Sequence, residues 1–317
     1  MTRVSDAVGH HPPLTVGLST PWDLWACSAG DRRARLNAVV EAGVDHLFCA
    51  DHVSFRGGNG SDAIVEMAAV HGIEPRLGLY IGVLLLSLRH PMIVARQITT
   101  LAQVAPGQLT VGVGVGGEDR HEFEVCEVDP ATRGRRTDVA IELVRRLLDG
   151  ETVDGDGTFF NFRHGVIRPT PVPRVRFTAG GRSDAAIRRA GRVADGWLAA
   201  WCSPRRFAEG VAAAEAEGVA AGRSGAVWQH GLQVWVGVGD DPVDGRRRVA
   251  GAMERFYGIP FEPFERYTPC GTAEQIAEFL APYVEAGATT LNLTPVGADR
   301  DVELAAIAEV KRLLLAR

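Results

Sequence analysis

The stretch from Arg76 to Gly117, RLGLYIGVLLLSLRHPMIVARQITTLAQVAPGQLTVGVGVGG, most constrains what this chain can fold into. Residues 76–86 are almost continuously apolar, which is the pattern of a strand buried on both faces of a parallel sheet. The run is too short for a membrane span, which needs about 20 apolar residues. His90-Pro91 opens a helix with proline in its first turn, where the missing N–H costs little. Val94, Ile98, Leu101 and Val104 recur on one helical face. Ala105-Pro106-Gly107 ends that helix, and residues 109–115 form the next buried strand. Two parallel strands joined by a helix are a βαβ crossover.

The unit repeats along the chain. Further strands are predicted at 14–19, 44–50, 175–179, 195–200, 228–238 and 289–293, and helices at 31–42, 61–72, 131–149, 183–193, 204–222 and 302–316. Thr272 and Gln275 form a capping box at the start of one more helix. Eight strand–helix pairs predict an α/β fold, a (β/α)8 TIM barrel, in preference to a doubly wound open sheet. Residues 1–13 are expected to be a flexible N-terminal tail and 14–317 a single barrel domain. Insertions are expected after strands four and seven, as excursions near 151–173 and 240–270, the second with a helix near 243–257.

The net charge of −5 gives no reason to expect nucleic acid or an anionic membrane as a partner. Five scattered cysteines without a C-x-x-C favour reduced thiols. Such thiols favour a cytoplasmic location, and the opening MTRVSDAVGHHPP lacks the apolar run of a signal peptide. No histidine, cysteine and carboxylate spacing suggests a metal site, and no G-x-S-x-G elbow suggests a serine hydrolase.

In such a barrel the active site lies at the carboxyl ends of the strands. That rule selects Trp22 and Asp23 after strand one, Asp51 and His52 after strand two, and Gly116-Gly117-Glu118 after strand four. After strands five and six it selects Gly180-Gly181-Arg182-Ser183 and Trp201. The glycine turn joins a strand to a helix N-terminus, where free N–H groups and the dipole favour an anion and Arg182 can grip phosphate. The same residues also suit a plain tight turn with Ser183 or Asp184 as N-cap. Gly112-x-Gly114-x-x-Gly117 matches a dinucleotide fingerprint in form, but EDRHEFEVCEVD does not open an apolar helix after it. These glycines either leave room for a flat ring at the mouth or serve close strand packing. His52 suits an acid, a base or a hydrogen-bond donor, or else only ties down its loop. Trp22, Trp25, Phe55, Trp201 and Phe264 are candidates for an apolar substrate pocket.

The run VLLLSLRHPMIVARQITTLAQVAPGQLTVGVGVGG, with AGVDHLFCADH, RGRRTDVAIELVRRLLDGETVDGDGTFF, PRVRFTAGGRSDAAIRRAGRVADGWL and GTAEQIAEFLAPYVEAGATTLNL, resembles the bacterial luciferase-like family of flavin- and deazaflavin-dependent oxidoreductases. The resemblance implies a (β/α)8 barrel that binds the 8-hydroxy-5-deazaflavin coenzyme or FMN at the strand ends. It implies that Gly180, Gly181, Arg182 and Ser183 meet the cofactor phosphate. Gly82 and Val83 would form a strand-three bulge with a non-prolyl cis peptide beneath the ring, and Gly114 and Gly116 would flank it. His52 matches a histidine near the reacting ring, with Asp51 beside it, and Glu118 lies one residue past the expected acidic position. Val115 stands where luciferases place an arginine near the phosphate. These features favour hydride transfer to or from a small organic substrate with the deazaflavin. The alternatives are an FMN monooxygenase served by a separate flavin or deazaflavin reductase, and a cofactor-binding barrel without turnover. A homodimer is among the assemblies such a barrel can form.

Overall fold

The computed structural model describes residues 12–117 and 119–317, so residues 1–11 of the expected tail lie outside the described residues. The chain alternates β1 (Thr15–Ser19), α1 (Ala29–Glu41), β2 (His46–Cys49), α2 (Ala63–Ile73), β3 (Gly78–Leu85), α3 (Pro91–Val104) and β4 (Leu109–Gly114). After the short α4 (His121–Val125) and long α5 (Arg133–Leu148) come β5 (Arg176–Gly180), α6 (Asp184–Val193), β6 (Trp197–Ala200), α7 (Pro204–Ala220) and β7 (His230–Val238). Then follow α8 (Pro242–Tyr257), α9 (Glu262–Glu265), β8 (Cys270–Gly271), α10 (Ala273–Glu285), β9 (Ala288–Val296) and α11 (Arg300–Leu315).

Side-chain caps set where many of these helices begin. Ser28, Asp62, Ser183, Ser203, Asp241 and Asp299 each accept a backbone N–H from the first turn of α1, α2, α6, α7, α8 and α11. His90 does the same for α3, whose first residue is Pro91. Gln275 accepts the N–H of Thr272 ahead of α10.

The strands run β6-β5-β4-β3-β2-β1-β9-β7, all pairs are parallel, and a further β6–β7 pairing closes the ring. The result is the eight-stranded (β/α)8 barrel that the strand–helix count predicts. The two-residue β8 adds to the rim of β7 and was not expected. Residues 151–173 hold only an isolated antiparallel bridge between Val153 and Gly165, whereas the stretch after β7 folds as α8 and α9.

The outward faces of the strands supply the main core. Val16, Leu47, Leu79, Val111, Phe177, Val234 and Leu291 pack there under the helices, at most 2% exposed. Burial of each such side chain stabilises the fold by ~1.5–3 kcal/mol. The barrel interior is more polar. A Cβ on Gly17 would fall 2.0 Å from His46 Nε2, so glycine at this point makes room for the imidazole. His46 Nε2 lies 2.7 Å from Asn292 Oδ1, and Gln233 Nε2 donates to the Gly82 carbonyl at 3.1 Å. Tyr80 and Thr178 share a hydroxyl hydrogen bond of 2.7 Å. Burial disfavours the imidazolium and holds His46 below its ordinary pKa, with the Asn292 hydrogen bond opposing.

Candidate active site

The end of β2 is locked in place by Asp51. Its carboxylate is 1% exposed and accepts N–H groups from Ala63 at 3.1 Å and Leu85 at 3.1 Å. Arg89 completes its partners at 2.6 and 3.1 Å. Both oxygens are therefore taken, and Asp51 ties β2 to the end of β3 and the start of α2. The structure brings Asp51 next to His52 in sequence but uses it as an anchor. A carboxylate so fully engaged is not placed to exchange protons with a substrate.

His52 follows this anchor, with its side chain 11% exposed and its ring stacked on Phe55 at 4.2 Å. Its Nδ1 lies 3.1 Å from Glu122 Oε2. The other oxygen of Glu122 accepts the N–H groups of Val53 at 2.8 Å and Ser54 at 3.3 Å. A carboxylate can only accept, so Nδ1 carries the proton toward Glu122, and in the neutral ring Nε2 keeps its lone pair for a ligand.

Glu118 lies outside the described residues, and the acidic partner of His52 is Glu122. Sequence reasoning passed over Glu122 because residues 119–130 lack an apolar helical stripe. The helix that carries it, α4, has only five residues, and Phe123, 0% exposed, anchors it so that Glu122 is buried beside His52. The signal lay in the run of carboxylates after strand four, of which the resemblance points to Glu118.

The strand-three bulge is present, with a register shift between Ile81 and Leu84 and a cis peptide between Gly82 and Val83. The bulge turns Val83 toward β4 and β5. A Cβ on Gly114 would lie 2.4 Å from Val83 Cγ2, and one on Gly180 would lie 2.8 Å from Val83 Cγ1. Gly114 and Gly180 thus clear space for the Val83 side chain, which is the close-packing alternative for Gly114. Gly116 has φ +65°, and a Cβ there would press on Leu85 and Phe123 at 3.1 Å, so it too serves local packing.

At the end of β5, Gly181 has φ +132°, a conformation that L side chains rarely adopt, and its carbonyl accepts Trp197 Nε1–H at 2.7 Å. Ser183 is the N-cap of α6 and accepts the N–H of Ala186 at 3.3 Å. The remaining first-turn N–H groups of this ten-residue helix point out of its N-terminus. Arg182 is exposed, and its guanidinium lies 5.2 Å from the centre of the Trp201 ring. A turn open to close approach, a helix N-terminus and an exposed cation fit a phosphate-bearing cofactor.

Trp22, Phe55 and Trp201 belong to one aromatic assembly over the mouth. Its centre is supplied by residues that sequence reasoning did not select, namely Trp235 of β7 with Phe256 and Tyr257 of α8. Phe256 lies 5.2 Å from Trp22, 5.3 Å from Phe55 and 5.8 Å from Trp235. Trp201 packs on Tyr257 at 5.3 Å and on Phe264 at 4.9 Å. Trp25 stands apart under Arg32. A cavity of about 570 Å³ opens at the opposite, amino-terminal end of the strands, lined by Arg174, Asp195 and Arg223. There Asp195 is saturated by Arg145, Arg174, Arg223 and the Phe177 N–H. The candidate site is therefore taken at the mouth, where His52, the glycine turn and the aromatic assembly lie.

A closed parallel barrel with a phosphate-type turn and a carboxylate-held histidine at the strand ends defines a (β/α)8 enzyme architecture. The chain belongs to the luciferase-like monooxygenase family, whose profile matches residues 28–268. An F420-dependent glucose-6-phosphate dehydrogenase of Nocardia farcinica is 25% identical over 292 residues, 82% of this chain and 86% of that protein. The corresponding dehydrogenase of Beutenbergia cavernae is 34% identical over 187 residues, covering 57% of this chain and 55% of that protein. An uncharacterized protein of Mycobacterium tuberculosis is 35% identical over 137 residues, covering 43% and 47%. The chain thus spans about half the length of these last two relatives.

Among solved structures, an F420-dependent secondary alcohol dehydrogenase with an F420-acetone adduct superposes with a TM-score of 0.80 at 18% identity, covering 96% of this chain and 99% of that one. The monooxygenase RslO1 of Streptomyces bottropensis superposes with a TM-score of 0.76 at 21% identity, covering 96% and 99%. These two likenesses establish the fold. Among the described residues no helix is long and apolar enough to cross a membrane.

Proposed function

We propose that this protein is a deazaflavin-dependent oxidoreductase that moves hydride between its coenzyme and the carbinol or carbonyl carbon of a small organic substrate. The observation that carries this reading is the Glu122–His52 pair, a buried carboxylate on Nδ1 that leaves Nε2 for the substrate oxygen. The F420-dependent dehydrogenases among its relatives support it. When bound, the coenzyme supplies a two-electron acceptor that takes or returns hydride without activating oxygen.

The chain's own residues supply the rest. Gly180, Gly181, Arg182 and Ser183 hold the phosphate, and the α6 N-terminus complements its charge. Val83, on the bulge between β2 and β4, forms the floor of the ring site. During alcohol oxidation His52 Nε2 takes the hydroxyl proton, and the resulting imidazolium is held against Glu122. In the reverse direction it returns that proton to the carbonyl oxygen. The aromatic assembly keeps water from the reacting groups.

Titration of the apo-protein with the 8-hydroxy-5-deazaflavin coenzyme and with FMN, followed by fluorescence, tests the reading. The deazaflavin is expected to bind at least tenfold tighter, a difference of about 1.4 kcal/mol. FMN binding tighter by that margin would overturn it and make oxygenation with a separate reductase the leading activity.

A further inference from the structure

The mouth also carries information about the substrate. The rings over it form a continuous wall contributed by four parts of the chain. Trp22 comes from the loop after β1, His52 and Phe55 from the loop after β2, Trp235 from β7 and Phe256 from α8. Gln233 faces the barrel interior, where it reaches Gly82, so Trp235 two residues on faces the interior one layer nearer the mouth. Phe256 bridges the two sides. Its ring meets Trp22, Phe55 and Trp235 within 6 Å and approaches the His52 ring edge-on at 6.4 Å. Trp22 rests on this wall and is 70% exposed. A large ring so exposed beside a buried acid–histidine pair is a surface waiting for an apolar ligand.

The charges near the wall are engaged elsewhere. Glu122 is saturated by His52, Val53 and Ser54. Asp119 accepts the N–H groups of Arg56 and His121. Arg89 is bound by Asp51 and Asp62. The Arg56 guanidinium lies over Phe55 at 5.3 Å and beside Gly258, the left-handed residue ending α8, where a cation complements the helix C-terminus. Arg182 stacks on Trp201 next to the phosphate turn. At the wall itself a phosphorylated or otherwise anionic substrate therefore meets aromatic faces, and the exposed cation Arg182 lies on Trp201 beside the phosphate turn.

We infer that the substrate is an uncharged, flat and mainly apolar molecule bearing a single secondary hydroxyl or ketone, and that Phe256 and Trp22 select it. The ring or alkyl body lies against Phe256 and Trp22, and the oxygen points to His52 Nε2. In the oxidising direction the C–H bond of the carbinol carbon breaks with its electron pair, which leaves as hydride to the deazaflavin. The O–H proton passes to His52, and the C=O bond forms. The hydride step rests on the reading above, whereas the aromatic fit does not depend on the coenzyme's identity.

The test uses acetophenone, acetone and glucose 6-phosphate as probes, titrated against the full-length protein with and without coenzyme. Binding is followed by tryptophan fluorescence, and coenzyme affinity is measured separately. Acetophenone is expected to bind at least tenfold tighter than either other probe. Phe256→Ala should remove at least fivefold of that preference while leaving coenzyme affinity within twofold, and Phe256→Leu should lie between. Glucose 6-phosphate binding as tightly as acetophenone, or undiminished acetophenone binding by a folded Phe256→Ala protein, would overturn the inference. Loss of the Phe256→Ala protein to unfolding leaves Phe256→Leu and Trp22→Ala to decide it, since unchanged acetophenone binding in both has the same consequence. Failure of the deazaflavin to bind would sink the hydride reading alone, because the apo-protein titration still reports on the aromatic site.

Discussion

Substitution of Gly114 by alanine tests the claim that Gly114 exists for Val83. The added Cβ would stand 2.4 Å from Val83 Cγ2, well inside contact, whereas its distance to Val83 Cβ is 3.4 Å. The clash therefore resides in one methyl group of one side chain. Overpacking of this kind costs ~1–3 kcal/mol. Val83→Ala alone removes two methyl groups from a half-buried side chain and should cost about 1–2 kcal/mol. In the double variant the offending methyl is gone and the nearest remaining approach is the 3.4 Å one. Its destabilisation should fall short of the sum of the two single changes by ~1 kcal/mol or more, within the range seen for residues in contact.

Gly112→Ala provides the control. Its Cβ would lie 2.5 Å from the Ile81 carbonyl oxygen, a backbone atom that Val83→Ala leaves in place. Urea unfolding of the three single and two double variants measures all of these energies. Additivity of Gly114→Ala with Val83→Ala to within ~0.5 kcal/mol would refute the steric argument, as would rescue of Gly112→Ala to the same extent.

Three further outcomes follow from the site and the barrel interior. His52→Ala should lower hydride transfer by ~10²–10⁴-fold, and Glu122→Gln should fall between it and the parent, with coenzyme affinity retained in both; single-turnover rates measure this, and a Glu122→Gln rate equal to the parent's would count against the pair. Arg182→Ala should weaken coenzyme binding by ~1–3 kcal/mol, and unchanged affinity would mean that the guanidinium only covers Trp201. His46, held neutral by burial, has a folded pKa below its ordinary 6.5, so below that pH the unfolded chain binds more protons than the folded one. Stability is then fully present above pH 6.5 and is lost as pH falls through it. Thermal unfolding between pH 7.5 and 5 should show this decline, and a folded His46→Gln variant should show less of it; identical slopes would exclude His46 as the source.

The barrel was legible because its signals are local. Continuous apolar runs such as 76–86 mark doubly buried strands, and Ser183, Pro91 and Thr272 mark helix starts, all within a few residues of sequence. The glycine turn at 180–181 was equally plain, since its strand-to-helix context is contiguous. Glu122 was not legible. Its role depends on a five-residue helix held by Phe123 and on a histidine 70 positions earlier in the chain. The glycines of β4 could be read as ring space or as packing until the neighbouring strand's bulge showed Val83 against Gly114.

The sequence by itself therefore determined the repeating βαβ order, the family resemblance and the loops on which chemistry had to lie, because strand ends follow from strand positions. Only the tertiary structure decided which groups on those loops meet. It turned Asp51 into an anchor for Arg89 and gave His52 the carboxylate of Glu122. It also brought Phe256, 204 positions after His52, over the same mouth. The reason is physical. Barrel closure joins strands far apart in sequence, and whether a carboxylate is neutralised, exposed or aimed at a histidine depends on neighbours that only closure supplies.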